Sequence, residues 1–285
     1  MNQDSQNNKI AMIGAGNMAR AIIGGLIARG HPAGRLVAAD PDSGTRDAVA
    51  HDYAIATHAE NAQAVADADV VVLAVKPQVI DKVAESIASA LNARCVVVSV
   101  AAGIPVARLR ATLGADRAIV RVMPNTPALH GAGATGMFAA DGCSEAQQNA
   151  ARALFEAVGR VFEVADESLM DAVTAVSGSG PAYFFALAEA LADAGRAAGL
   201  DEATAEGLAA QTAAGAGVML GRGDTPAAEL RRRVTSPGGT TAAALETLEH
   251  NDFARIIHAA VDAAVQRGRE LGGTSASSSQ QQGDG

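Results

Sequence analysis

The first half of the chain alternates short β-branched runs with Ala-rich stretches of helical length. Ile10–Ile13, Leu36–Ala39, 70–75, 96–100 and Ile119–Met123 read as strands, each predominantly apolar rather than alternating. Such runs are expected where helices cover both faces of a sheet. The stretches 18–29, 78–91 and 105–113 read as the crossover helices between them. This βαβα order predicts a doubly wound, mostly parallel sheet. Two shorter β-like pieces, 134–140 and 161–164, close the first domain.

Beyond residue 166 the pattern changes. From 182 to 271 no strand-like run occurs, and long stretches rich in Ala and Leu take over. Pro181 stands where a first helical turn accepts a proline, ahead of a helix over 182–198 that Gly199 stops. A second helix is predicted over 202–220, and a long pair over 240–271 is interrupted around His250 and Asn251. Helices with Ala faces bury them best against one another, in a self-contained bundle or, preferably, in one completed by a second subunit. The predicted organisation is a disordered tail over 1–8, a nucleotide-binding domain over 9–166, a helical dimerisation and substrate domain over 167–272, and a disordered Gly-, Ser- and Gln-rich tail over 273–285.

Composition narrows the function. The chain has 285 residues, enough for two ordinary domains. Of these, 49% are hydrophobic but only 3% aromatic, so the core must rely on close packing of small side chains. A net charge of −9 argues against a nucleic-acid partner, which needs a basic face. It leaves room for a small anion bound by backbone N–H groups. Cys95 and Cys143 form no metal-ligand cluster and suit a reduced, cytoplasmic protein with no bound metal. No apolar run approaches a bilayer span, and Met1 to Asn8 lack the basic start of a signal peptide.

The first strand runs into Gly14-Ala15-Gly16-Asn17-Met18-Ala19, which opens the first helix. Here Gly14 permits a tight turn, Gly16 lets the backbone approach a pyrophosphate, and the small Ala19 permits close helix–strand packing. Asp40 ends the second strand, where an acid accepts hydrogen bonds from an adenosine ribose and disfavours a 2′-phosphate. Arg46 lies one or two turns on, as a phosphate contact or a solvated charge. Two further strand ends, Val75-Lys76-Pro77-Gln78 and Val98-Ser99-Val100-Ala101-Ala102-Gly103-Ile104, face the same ligand if the sheet is open and parallel.

Three more segments stand out: Arg121-Val122-Met123-Pro124-Asn125-Thr126-Pro127, the stretch 172–183 containing Ser177-Gly178-Ser179-Gly180-Pro181, and Val234-Thr235-Ser236-Pro237-Gly238-Gly239-Thr240-Thr241. Together with the glycine turn and the two strand ends, their order and spacing resemble the signature segments of pyrroline-5-carboxylate reductases. The resemblance runs from about Lys9 to Leu271. It implies an N-terminal Rossmann-type domain with a C-terminal all-helical dimerisation domain. It also implies a homodimer, in many members assembled to a decamer, with the active site shared between domains and chains. The implied reaction is reduction of 1-pyrroline-5-carboxylate to L-proline by NADPH or NADH.

Carried over residue by residue, the resemblance implies cofactor contacts at Ile13, Gly14, Ala15, Gly16, Asn17, Met18, Asn61, Ala74, Val75, Lys76, Pro77, Val100, Ala101 and Ala102, to which Asp40 is added. Asp40 departs from the small or amide residue of many NADPH-preferring members, which leaves NADPH against NADH open. Ser177, Gly180, Asn125, Ser236, Gly238, Gly239 and Thr240 are implied substrate contacts, with Thr241 beside the ring nitrogen as the catalytic hydroxyl. These residue types suit the chemistry. A cyclic imine is readily protonated near neutral pH, so an anion nest at Gly238-Gly239 and one hydroxyl suffice.

Two other readings compete. A β-hydroxyacid dehydrogenase would need a lysine in the helical domain, and no lysine follows Lys82. A catalytically silent nucleotide-binding scaffold is opposed by the intact 236–241 loop. A reductase of a related cyclic imine, such as the six-membered homologue, stays open. The six histidines form no catalytic group, and the run Arg231-Arg232-Arg233 reads as a solvated helix face.

Overall fold

The computed structural model of the chain describes residues 7–277, which form two compact units. One comprises the chain through Gly178 together with the stretch from Ala264 onward, and the other is Ser179–Ala263.

The first unit is built on an eight-stranded sheet. Its strands are β1 (Ile10–Ile13), β2 (Leu36–Ala39), β3 (Ala56–His58), β4 (Val70–Leu73), β5 (Val96–Ser99), β6 (Ile119–Met123), β7 (Gly133–Ala139) and β8 (Gly159–Glu163). Their spatial order is β3-β2-β1-β4-β5-β6-β7-β8, with every neighbouring pair parallel except β6 with β7. Helices α1 (Asn17–Ala28), α2 (Ser43–Tyr53), α3 (Asn61–Val65), α4 (Ile80–Ile87), α5 (Val106–Leu113) and α6 (Glu145–Glu156) connect them. Side chains alternate along a strand. Ile10 and Met12 of β1 therefore join one core with Ile22 and Leu26 of α1 and Phe155 of α6. Ala11 and Ile13 join the other core with Ile80 and Ile87 of α4 and Leu109 of α5. Two covered faces explain strands that are apolar at nearly every position.

Several elements differ from the sequence reading. Ala74 and Val75 leave the strand, because Gly14 crosses directly against the Ala74 carbonyl. The stretch 78–91 is a short 3-10 turn, Pro77–Val79, followed by α4. Strand β3 is three half-exposed residues with no apolar run. Helix α7 (Met170–Val173) and a π-helical turn, Thr174–Gly178, belong to the first unit. Val173 packs so tightly on β7 that a Cβ at Gly136 would overlap its side chain.

The second unit holds α8 (Gly180–Ala197), α9 (Glu202–Arg222), α10 (Ala227–Arg233), α11 (Thr240–His250) and the first part of α12 (Phe253–Ser277). Pro181 lies in the first turn of α8 as predicted. Helices α8 and α9 turn at Gly199 (φ +103) and pack through Ala192, Gly195, Ala205 and Ala209. The expected break after His250 is made by Asp252, in the left-handed region at φ +56. Helix α12 re-enters the first unit, where Gly103 and Gly272 approach so closely that a Cβ on Gly272 would sit 3.0 Å from the Gly103 carbonyl oxygen. It runs to Ser277, past residue 272 where the tail was expected, since a long helix propagates through weak formers more easily than it nucleates. The rest of that tail, and residues 1–6 of the first, lie outside the described residues.

Within the second unit large apolar side chains are uncovered: Phe184 is 62% exposed, Phe185 68% and Val218 63%. Among the described residues no helix is long and apolar enough to cross a membrane.

Candidate active site

Backbone hydrogen bonds continue past the strand ends at the carboxyl edge of the sheet. The Gly14 N–H donates to the Ala39 carbonyl (2.8 Å), Ala74 to Ile13 (2.8 Å) and Val100 to Leu73 (3.3 Å). Ile13, Gly14, Ala15, Gly16, Asn17, Met18, Asp40, Ala74, Val75, Lys76, Pro77, Val100, Ala101 and Ala102 thus gather on the edge beside the point where strand order reverses. Ligands of open α/β sheets bind there.

Gly14 adopts φ +89, and a Cβ would sit 2.7 Å from the Ala74 carbonyl oxygen, so the fold itself demands glycine. Gly16 is different. It caps α1 with no side-chain hydrogen bond, and a Cβ there meets nothing of the protein within 4 Å. The first turn of α1 carries no acid. Its unpaired N–H groups and helix dipole fit a diphosphate.

Asp40 turns inward as a brace. Its Oδ2 accepts the Ala15 N–H at 2.9 Å and its Oδ1 the Asp42 N–H at 3.0 Å. Arg46 Nη1 donates to the Asp40 and Pro41 carbonyls at 2.8 and 2.9 Å, which lays its guanidinium along the same turn. Asn61 opens α3 and donates to Ser86 Oγ at 3.0 Å, whose hydroxyl donates onward to the Val83 carbonyl. Ala101 is buried and its N–H points to Ser99 Oγ, while Lys76 is exposed on the edge.

The substrate candidates fall on both units, and each set is described within its own. In the first, Asn125 and Ser177 meet: Asn125 Nδ2 donates to the Ser177 carbonyl at 3.0 Å. The Ser177 hydroxyl donates to the Val173 carbonyl at 2.9 Å. In the second, Gly180 is the buried first residue of α8, and Ser236 to Thr241 form a single turn. There the Gly239 N–H donates to the Ser236 carbonyl at 3.0 Å and Gly238 adopts φ +68. A Cβ on Gly239 would sit 2.5 Å from Ser236 Oγ. Gly239 caps α11, whose first turn contains Thr240, a half-buried Thr241 and no acid. Such a helix start, with its open N–H groups, suits a carboxylate.

Sequence reasoning missed the pair of the buried Arg121 with the partly exposed Glu167, 2.6 Å apart. Its signal was a charge inside the otherwise apolar strand Ile119–Met123.

Residues 167–271 match the pyrroline-5-carboxylate reductase dimerisation family, and residues 9–103 match the family of coenzyme F420-dependent NADP oxidoreductases. The pyrroline-5-carboxylate reductase of Pseudomonas aeruginosa is 51% identical over 263 residues, covering 92% of this chain and 96% of that protein. The structure of the Coxiella burnetii reductase is 40% identical with a TM-score of 0.90, over 93% of this chain and 98% of that one. The Plasmodium falciparum pyrroline carboxylate reductase, solved with NADP bound, is 30% identical with a TM-score of 0.79, over 94% and 99%. The dimerisation family spans the helices whose apolar faces are uncovered, so the chain self-associates. With sequence identity sustained over nearly its whole length and a dimerisation-family match over its helical part, the chain belongs to the pyrroline-5-carboxylate reductase family.

Proposed function

We propose that the chain reduces 1-pyrroline-5-carboxylate to L-proline, the last step of proline biosynthesis, and does so with the residues placed above. The observation that carries the assignment is the turn from Ser236 to Thr241. It joins a left-handed glycine, a second glycine whose Cβ would displace the Ser236 hydroxyl, and a helix start with a hydroxyl on its second residue. The edge from Ile13 to Met18, Asn61, Ala74 to Pro77 and Val100 to Ala102 would hold NADPH or NADH, which when bound would supply the hydride for the imine carbon.

The turn holds the substrate carboxylate through Ser236, Gly238, Gly239 and Thr240, which fixes the five-membered ring. Ser177 and Gly180 complete the substrate side. Thr241 hydrogen-bonds the ring nitrogen and orients the protonated imine, so orientation rather than a buried acid supplies the rate enhancement. A cytoplasmic setting belongs to this reading, supported by Cys95 and Cys143, neither of which is in a disulfide.

Thr241→Ala tests the assignment, since it removes the hydroxyl and keeps the Cβ. A hydrogen bond to a charged nitrogen is worth roughly 1.5–3 kcal/mol, so kcat/KM should fall about ten- to a hundredfold. Thr241→Ser should recover most of the loss. A kcat/KM for the Ala variant within about twofold of wild type would show that the hydroxyl is not the partner.

A further inference from the structure

Strand β6 grips the segment that leads into α8 at two points. Arg121, buried within the strand, pairs with Glu167, and the same Glu167 oxygen accepts the Val106 N–H at the start of α5 at 2.8 Å. Just past the strand end, Asn125 is also buried, 9% exposed. Its Nδ2 donates to the Ser177 carbonyl at 3.0 Å, while its Oδ1 accepts the Ala134 N–H of β7 at 2.9 Å. Arg121 thus holds the segment near its beginning and Asn125 near its end.

The end that Asn125 holds is the π-helical turn Thr174–Gly178. Such turns are rare, cost regular hydrogen bonding, and recur at functional sites. Three contacts stabilise this one. Thr174 Oγ1 donates to the Met170 carbonyl at 2.8 Å, and Ser177 Oγ to the Val173 carbonyl. A Cβ on Gly178 would lie 2.9 Å from Met123 Cε, so the turn seats directly on the end of β6. The Asn125 bond reaches the turn from a side chain on another element, through a buried amide committed at both ends. A buried amide with both ends tied to main-chain groups is a brace, and it has no role there that an apolar residue of similar shape could fill.

We propose that Asn125 is a positioning residue of the reductase reaction, acting through the Ser177 carbonyl to hold the π turn that presents Ser177 and leads into Gly180, without itself touching the substrate. This inference rests on the imine-reductase reading above. It replaces the direct substrate contact that the sequence resemblance implied for Asn125.

The test is Asn125→Asp in the full-length chain. The change keeps the shape and the acceptor for the Ala134 N–H, but sets a carboxylate oxygen against the Ser177 carbonyl. Amide hydrogen exchange and steady-state kinetics with NADPH and pyrroline-5-carboxylate are read together. Exchange of the amides over 174–180 is expected to quicken about tenfold, exchange in β1 and NADPH affinity to stay within about twofold, and kcat/KM to fall at least about tenfold. Protonation of the Asp restores a donor toward Ser177, so activity relative to wild type is expected to recover as pH is lowered. Activity lost with exchange over 174–180 unchanged would mean a direct substrate contact and overturn the proposal. Quickened exchange with normal kcat/KM would overturn it as well, since the turn would then be merely structural. Where the Asp variant does not fold, Asn125→Ser removes both bonds without adding charge, and the same two exchange and activity readouts apply. Failure of the wild-type chain to reduce the imine counts against the reading of function instead, and is seen before any variant is made.

Discussion

Gly14 and Gly16 stand two positions apart and are glycine for unrelated reasons. The first is forced by a positive φ and the crossing of the Ala74 carbonyl, whereas the second faces open space in front of α1. The separate roles of the two glycines were legible in the motif, but the Ala74 carbonyl as the group that crosses Gly14 was not, because it depends on β4 lying next to β1. The separation of roles yields a sharp expectation. Gly16→Val should weaken NADPH binding by about tenfold or more in calorimetric titration, while the melting temperature stays near that of wild type. A variant that melts early but binds NADPH normally would place Gly16 in the fold and not in the site. Asp40 shows the limit of reading by position. Its place at a strand end was legible, but its commitment to the Ala15 and Asp42 N–H groups was not, since the direction of a carboxylate is set by neighbours distant in sequence.

Elements were legible in proportion to how much apolar surface each had to bury. β1, β2 and β6 announced themselves because both faces are covered, and the break between α11 and α12 fell where polar residues interrupt the pattern. β3, α2 and α6 escaped notice, for their sequences are short, polar or both. Helix α6 did carry a signal, the capping box of Ser144 and Gln147. Caps also make the acid stability of the helical unit testable. Asp201 caps α9, and hydrogen bonds from the Thr204 side chain and backbone hold its carboxyl below the ordinary carboxylate range. A depressed folded pKa gives stability that is present above the unfolded value, about 3.9, and is lost as pH falls through the folded one. Asp201→Asn keeps a capping oxygen without the charge. The melting-temperature gap between wild type and variant should therefore narrow as pH drops from about 6 to about 3. A gap that does not change with pH would mean that the charge contributes nothing.

For the whole molecule, the order of a parallel sheet followed by helices could be read from periodicity alone, but the seam between units could not. The sequence of 167–178 does not tell which unit it packs in. Its place is decided by Val173 against Gly136, by Asn125 with Ser177 and by Arg121 with Glu167. The uncovered Phe184, Phe185 and Val218 belong to a self-associating domain and account for a chain so rich in Ala yet so exposed by itself. Fold and family point to one chemistry, and the most direct measurement is a reaction balance on the purified wild-type chain. NADPH oxidation is followed after adding pyrroline-5-carboxylate, and the product is resolved by chiral chromatography. The account predicts L-proline formed in equal amount to NADPH oxidised, with no oxidation before the imine is added. NADPH that binds the chain but is left unoxidised in the presence of the imine would contradict it.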